Sequence, residues 1–277
     1  MQFFERIKQF AGFSANTHKA LRLAYGPATQ QFGELYLPET SQPSPIVVLI
    51  HGGFWHTQYR LSLMTGLAID LARRGIAAWN IEYRRVGDSG GGWPNTLLDV
   101  AAATDYLQTI ASTYALDLGR VVTLGHSAGG HLALWLAARS RLPSNSPLAT
   151  TGTPLALAGV VSQAGVVDLE HGWRLRLGNN AVRALLGGSP SQVPERYAAA
   201  SPAALLPLGV PQVLIHGSWD TIVPLELSQA YEGKAMADED QITLIELPDT
   251  DHFALIDATS KAWDVTVREI EKLFQSS

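Results

Sequence analysis

The chain contains no cysteine. Disulfides, thiolate metal sites, iron–sulfur clusters and a cysteine nucleophile are thereby excluded. Charge is sparse as well: 16% of the 277 residues are Asp, Glu, Lys or Arg, with 20 Lys+Arg against 25 Asp+Glu. The net charge of −5 carries no basic block, so nucleic acid is not an expected partner. Long hydrophobic runs are missing. The longest, near Leu155–Val161, is soon interrupted by Ser162 and Gln163 and is too short to span a bilayer, so no membrane partner is expected. The opening MQFFERIKQF lacks the apolar core and cleavage site of a secretory signal, which makes a cytoplasmic location the expectation. There is no H-E-x-x-H, and Gly90-Gly91-Gly92 lacks the Lys-Ser/Thr of a phosphate-binding loop. Neither a metal nor a nucleotide is therefore expected.

What remains is 46% hydrophobic, with 25 Gly and 15 Pro, a globular composition. Short runs rich in Val, Ile and Leu alternate with longer helical stretches. The runs are Ile46–Ile50, Ile76–Tyr83, Val121–Leu124, Leu155–Val161, Val213–Ile215 and Ile242–Leu247. The helical stretches are Leu61–Arg74, Thr96–Tyr114, Gly129–Arg139, Leu225–Ala237 and Ser260–Phe274. Nearly uninterrupted apolar strands imply burial on both faces, as in a parallel sheet. Alternation with helices implies βαβ units in an α/β fold. Gln31–Leu37 suits an antiparallel edge strand. Between Gly165 and Val210 the alternation lapses into short helical pieces, around Ala181–Leu186 and Glu195–Leu206. That stretch reads as a cap-like insertion (165–210) within one domain of 277 residues.

One motif stands out. Strand Arg120–Leu124 runs into Gly125-His126-Ser127-Ala128-Gly129-Gly130, and a helix follows. This is G-x-S-x-G in its strand–turn–helix context, where Ser127 would be a nucleophile on a strained turn. Upstream, strand Ile46–Ile50 ends in His51-Gly52-Gly53-Phe54-Trp55. Backbone N–H groups of Gly53 and Phe54, with that of Ala128, are the expected oxyanion donors. The base must lie downstream of Ser127. His131 sits in the following helix, His171 in the insertion, and His216 ahead of the best acid. His252, in a loop after the last strand, is the expected general base. Asp220, just past strand Pro211–Ile215, is the expected acid; Asp168, Asp249 and Asp251 are its rivals. Trp55, Trp173 and Trp219 flank these residues and are expected pocket walls. Arg174 and Arg176 in the insertion suit a solvated face better than a carboxylate site.

With these residues in place, the chain resembles the α/β-hydrolase esterases, and in particular a small bacterial group with an H-G-G-x-W oxyanion motif shared with kynurenine formamidases. The matching stretches are His51–Trp55, Gly125–Leu132, Gly217–Pro224 and Asp251–Phe253, with Ile81–Gly87 and Ser201-Pro202 similar as well. The likeness runs from about Tyr36 to the C-terminus. Phe54, standing where related lipases carry a third glycine, points toward the formamidase-like branch. The resemblance implies an α/β-hydrolase fold with no cofactor. It implies a small-molecule ester or formamide substrate, cleaved by a Ser127–His252–Asp220 triad through an acyl-enzyme. Short-chain or aromatic carboxylic esters are the first expectation and N-formylkynurenine the second. A hydrolase-fold binding protein without turnover is the third, disfavoured by the complete set of catalytic residues.

Overall fold

A computed structural model describes residues 20–149 and 152–275. The N-terminal segment MQFFERIKQF lies outside the described residues. The described chain builds an eight-stranded sheet: β1 (Leu21–Ala24), β2 (Phe32–Tyr36), β3 (Ser44–Ile50), β4 (Ala77–Ile81), β5 (Leu116–His126), β6 (Gly159–Gln163), β7 (Gln212–Gly217) and β8 (Ile242–Leu247). Their spatial order is β1-β2-β4-β3-β5-β6-β7-β8. β1 and β2 run antiparallel; the six strands from β4 to β8 are parallel. The chain leaves β3 toward β4, then returns past β3 to β5. The strand order therefore reverses between β3 and β5, and the carboxyl ends of these two strands flank the natural binding crevice of such a sheet.

The apolar runs are buried on both faces because their side chains alternate. Ile46, Val48 and Ile50 enter one core with Leu97, Leu132 and Trp135. Val47 and Leu49 enter the other with Leu67, Leu71 and Trp263. The first face is covered by α2 (Asn95–Asp105), α3 (Leu107–Tyr114) and α4 (Ala128–Ala138); the second by α1 (Thr65–Arg73) and α9 (Lys261–Gln275). α4 is buried along its whole length, which explains its almost uniformly apolar sequence. α8 (Glu226–Ala237) precedes β8.

Several boundaries differ from the expected ones. Gln31–Leu37 does form an antiparallel strand, but β1 pairs outside it, so β2 is interior. The run Leu155–Val161 becomes strand only from Gly159 and continues through Ser162 and Gln163, which pair with β5 and β7. The ladder satisfies the backbone of these polar residues and Gln163 Nε2 bonds the Leu255 carbonyl and Thr266, while Ser162 Oγ and Gln163 Oε1 are buried without a hydrogen-bond partner. The stretch Thr96–Tyr114 is two helices broken at Tyr106. Between β6 and β7 lie α5 (Leu169–Arg174), α6 (Leu177–Leu186) and α7 (Pro194–Ala200). Gly178, Asn179 and Asn180 at the start of α6 are left-handed. Among the described residues no helix is long and apolar enough to cross a membrane.

Candidate active site

Ser127 occupies the tight turn between β5 and α4, at φ 56 and ψ −120. A non-glycine residue in that region stores about 1–3 kcal/mol of strain. The surroundings enforce it. A Cβ on Gly125 would lie 1.9 Å from the Gly129 carbonyl oxygen, and one on Gly129 would lie 2.0 Å from that of Ile50. Both motif glycines are therefore required by backbone passing close by. Ser127 N–H donates to the Gln163 carbonyl at 2.8 Å, and its own carbonyl accepts from Gly130 N–H at 2.9 Å. The turn is locked on both sides, at the N-terminal end of α4 where the helix dipole favours negative charge.

His252 and Asp220 come from the loops after β8 and β7. His252 Nδ1 lies 2.5 Å from Asp220 Oδ2, and both side chains are buried. That contact leaves Nε2 of His252 as the nitrogen facing the cavity it shares with Ser127. The Asp220 carboxylate has further donors: Oδ1 accepts from Ile222 N–H at 2.8 Å and Val223 N–H at 2.9 Å. Burial works against its charge. The hydrogen bonds from His216, His252 and Val223 outweigh burial and hold the carboxyl well below the usual carboxylate range.

The rival acids are engaged elsewhere. Asp168 caps α5 by accepting from His171 N–H, and Asp251 Oδ1 accepts from Phe253 and Ala254 N–H. Asp249 sits at a left-handed turn position with φ 53.

Gly53, Phe54 and Trp55 are left-handed in succession, at φ 105, 53 and 59. Successive amides in such a turn line a concave, anion-accepting surface. The N–H groups of Gly53, Phe54 and Ala128 donate to no protein group among the described residues. Gly53 and Phe54 line the same cavity as Ser127 and His252.

This loop is braced by a buried polar network whose residues fall in His51–Trp55 and Ile81–Gly87, although their mutual contacts were not legible in the sequence. His51 Nε2 meets Glu82 Oε1 at 2.9 Å, and the imidazole stacks on Tyr83. Arg85 Nη1 lies 3.1 Å from the same Glu82 oxygen and also donates to the Tyr59 carbonyl. Tyr59 in turn packs on Gly53, where a Cβ would lie 2.2 Å from its ring. Burial would raise the Glu82 carboxyl, but His51, Arg85 and the Leu61 amide together hold it down. The Ile81–Gly87 stretch thus buttresses the Gly53–Trp55 loop from beneath.

The three tryptophans do not wall the cavity around Ser127. Its lining is Gly53, Phe54, Tyr59, Leu63, His126, Ser127, Ile222, His252, Phe253 and Ile256. Trp55 is 0% exposed and packs edge-on against His131 at 5.3 Å. Its positive φ turns it inward, into the core above α4. Trp219 is 61% exposed, and Trp173 lines a separate groove on the insertion. Sequence proximity to a catalytic residue does not decide which way a side chain points. Ile222 and Phe253, two residues after Asp220 and one after His252, do line it, but nothing in the sequence set them apart from the tryptophans; Tyr59 and Leu63 carried no signal.

His216, passed over as a base, and His126, which precedes Ser127, have other work here. His216 is fully buried, with Nε2 3.3 Å from Asp220 Oδ2 and 2.9 Å from the Val223 carbonyl. Its Nδ1 pairs with Ser228 Oγ at 2.8 Å, so a neutral ring protonated at Nε2 satisfies every neighbour. His126 packs 4.4 Å from the His252 ring, and its Nε2 meets the His252 carbonyl at 2.9 Å. Burial first, and then the adjacent His252, push the His126 imidazole down to about 3.

A mostly parallel sheet with the Ser127 turn after its central strand and the Asp220 and His252 loops after later strands has the architecture of an α/β-hydrolase fold. Solved structures agree. Esterase B from Lactobacillus rhamnosis, held with a tributyrin phosphonate inhibitor, superposes with a TM-score of 0.83 at 21% identity, covering 99% of this chain and 92% of that one. A truncated carbohydrate esterase from gut microbiota superposes with a TM-score of 0.81 at 20% identity, covering 95% and 99%.

The chain belongs to the BD-FAE family, whose model matches residues 34–234. It is 26% identical to esterase LipC of Mycobacterium tuberculosis over 244 residues, 85% of this chain and 60% of LipC. It is 35% identical to kynurenine formamidase avaC of Aspergillus versicolor over 144 residues, 47% of this chain and 46% of that one. The chain spans about three fifths or less of the length of such curated relatives.

Proposed function

We propose that this chain is a serine hydrolase that cleaves small carboxylic esters through an acyl-enzyme. The observation that carries this is convergence. A strained Ser127, the His252–Asp220 pair at 2.5 Å and the open amides of Gly53 and Phe54 meet at one cavity. Ser127 Oγ attacks the ester carbonyl carbon as His252 Nε2 takes its proton, and the carbonyl π pair moves onto oxygen. The N–H groups of Gly53, Phe54 and Ala128 hold that oxyanion. Its collapse breaks the acyl C–O bond, and the leaving alkoxide takes the proton from His252. Water, deprotonated by His252, then attacks the acyl carbon and releases Ser127. Asp220 holds the Nδ1–H tautomer and stabilises the imidazolium. The segment between β6 and β7 acts as a short cap.

The acyl group is small. The cavity around Ser127 holds only about 20 Å³, little more than one water needs, and Leu63, Ile222 and Ile256 help to close it. Formyl and acetyl groups fit with the least movement. This favours a second reading, supported by the 35% identity to a kynurenine formamidase: hydrolysis of an aryl formamide such as N-formylkynurenine.

The deciding experiment is a panel of initial rates on p-nitrophenyl acetate, butyrate and octanoate and on N-formylkynurenine, with Ser127→Ala as control. The expected order is acetate over butyrate over octanoate. A kcat/KM for the formamide more than tenfold above acetate, about 1.4 kcal/mol of transition-state preference, selects the formamidase reading. Failure of the wild type to react with a fluorophosphonate would overturn both.

A further inference from the structure

A second cavity lies on the insertion, a groove of about 650 Å³ lined by Trp173, Arg174, Arg176, Asn180, Arg183 and Gln192, among others. No carboxylate lines it, although the chain as a whole is acidic. Arg174 is committed to Glu170, one helical turn away. The guanidinium groups of Arg176 and Arg183, both exposed, have no ion-pair or hydrogen-bond partner among the described residues. Two guanidinium groups facing one cavity without a counter-charge repel each other, and an anion that both can grip relieves this. The backbone is shaped to present them. Arg176, Gly178, Asn179 and Asn180 are all left-handed, at φ 54, 56, 57 and 67, a cluster of strain of the kind kept where a ligand is clamped.

The turn that carries Arg176 and Asn180 also packs on the loop that lines the Ser127 cavity. A Cβ on Gly178, between Arg176 and Asn180, would lie 2.4 Å from the Phe54 ring. Phe54 lines the cavity of Ser127 and belongs to the oxyanion loop. One contact therefore links the turn that carries Arg176 and Asn180 to the wall of the site.

We infer that the groove is the leaving-group subsite and that it selects an aromatic leaving group bearing a carboxylate. The carboxylate sits between Arg176 and Arg183, whose planar forks match it. The aromatic ring lies against Trp173. The small acyl group remains at Ser127. This rests on the hydrolase reading above and deepens it: the preferred substrate is a short-acyl ester or amide of an anionic aryl alcohol or amine.

The test uses substrate pairs that differ in charge alone: 4-acetoxybenzoate against 4-acetoxybenzamide, and 3-(4-acetoxyphenyl)propanoate against its amide. Wild type and the Arg176→Gln/Arg183→Gln double variant are assayed at low ionic strength. For at least one pair, the wild-type acid-to-amide ratio of kcat/KM is expected to exceed ten. In the double variant, and in the wild type at 0.5 M salt, it is expected to fall at least tenfold through KM. An acid-to-amide ratio near one in the wild type, or one the double variant leaves unchanged, overturns the subsite while leaving the hydrolase reading intact. Preference for 4-acetoxyphenyl phosphate over both acids reassigns the groove to phosphate and overturns the carboxylate assignment. Absence of turnover on all four substrates refutes the underlying hydrolase reading instead.

Discussion

Ser127 and Asp220 set the expectations at the residue scale. Ser127→Ala removes the attacking oxygen, and kcat/KM on p-nitrophenyl acetate is expected to fall by at least ~10⁴-fold. Asp220→Asn keeps the shape but lets the wrong histidine tautomer form, with an expected loss of about 10⁴-fold in kcat. His216 makes a finer prediction. It donates to the same Asp220 oxygen as His252. A hydrogen bond to a buried charge contributes about 1.5–3 kcal/mol, so His216→Asn should lower kcat/KM roughly 10- to 100-fold.

At the scale of elements, the oxyanion loop is wedged between two supports. The His51–Glu82–Arg85 network holds it from below, and the insertion touches it through Phe54 and Gly178. Gly178→Ala should strain a left-handed position by about 1–2 kcal/mol and drive a methyl into the Phe54 ring. The expected result is a fall in Tm of a few degrees together with at least a tenfold loss of kcat on p-nitrophenyl acetate. Tm loss without loss of kcat would show that Phe54 can move aside without disturbing the amides. Gly129 is held by a different element. Its Cβ position is filled by the β3 backbone, so Gly129→Ala cannot be absorbed by a side-chain shift.

For the molecule as a whole, the buried histidines make stability depend on pH. Burial pushes the His126 ring down to about 3, with His252 adding to it, and pushes His131 down to about 4. Their ordinary value is 6.5. Both are neutral in the folded chain at pH 5, whereas an unfolded chain would bind a proton on each. Stability is therefore full above about pH 6.5 and falls as the pH drops toward 3–4, by up to about 1.4 kcal/mol per pH unit per histidine. The lowered carboxyl of Asp220 adds loss of the same sign at still lower pH. Urea unfolding at pH 7 and pH 5 should differ by about 2–4 kcal/mol. Equal stability at the two pH values would mean that water reaches these rings in the folded state.

The local rules already present in the sequence determined much of this protein. Uninterrupted apolar runs can be buried only between two helical layers, so the α/β architecture was legible from Ile46–Ile50 and its counterparts. Ser127 was legible because a strand ending in G-x-S-x-G admits few alternatives to a tight turn. His252 and Asp220 followed from chain order, and the tertiary structure places them in contact. Distance across the sheet was not legible. That β1 lies outside β2 depends on a pairing of two short segments, which no local pattern specifies. The side-chain directions of Trp55, Trp173 and Trp219 follow from backbone dihedrals and packing, not from neighbourhood in the chain. The second histidine on Asp220, the network under the oxyanion loop and the unpaired arginines facing one groove arise from residues far apart in sequence. Only the folded backbone, which fixes those distances, decided them.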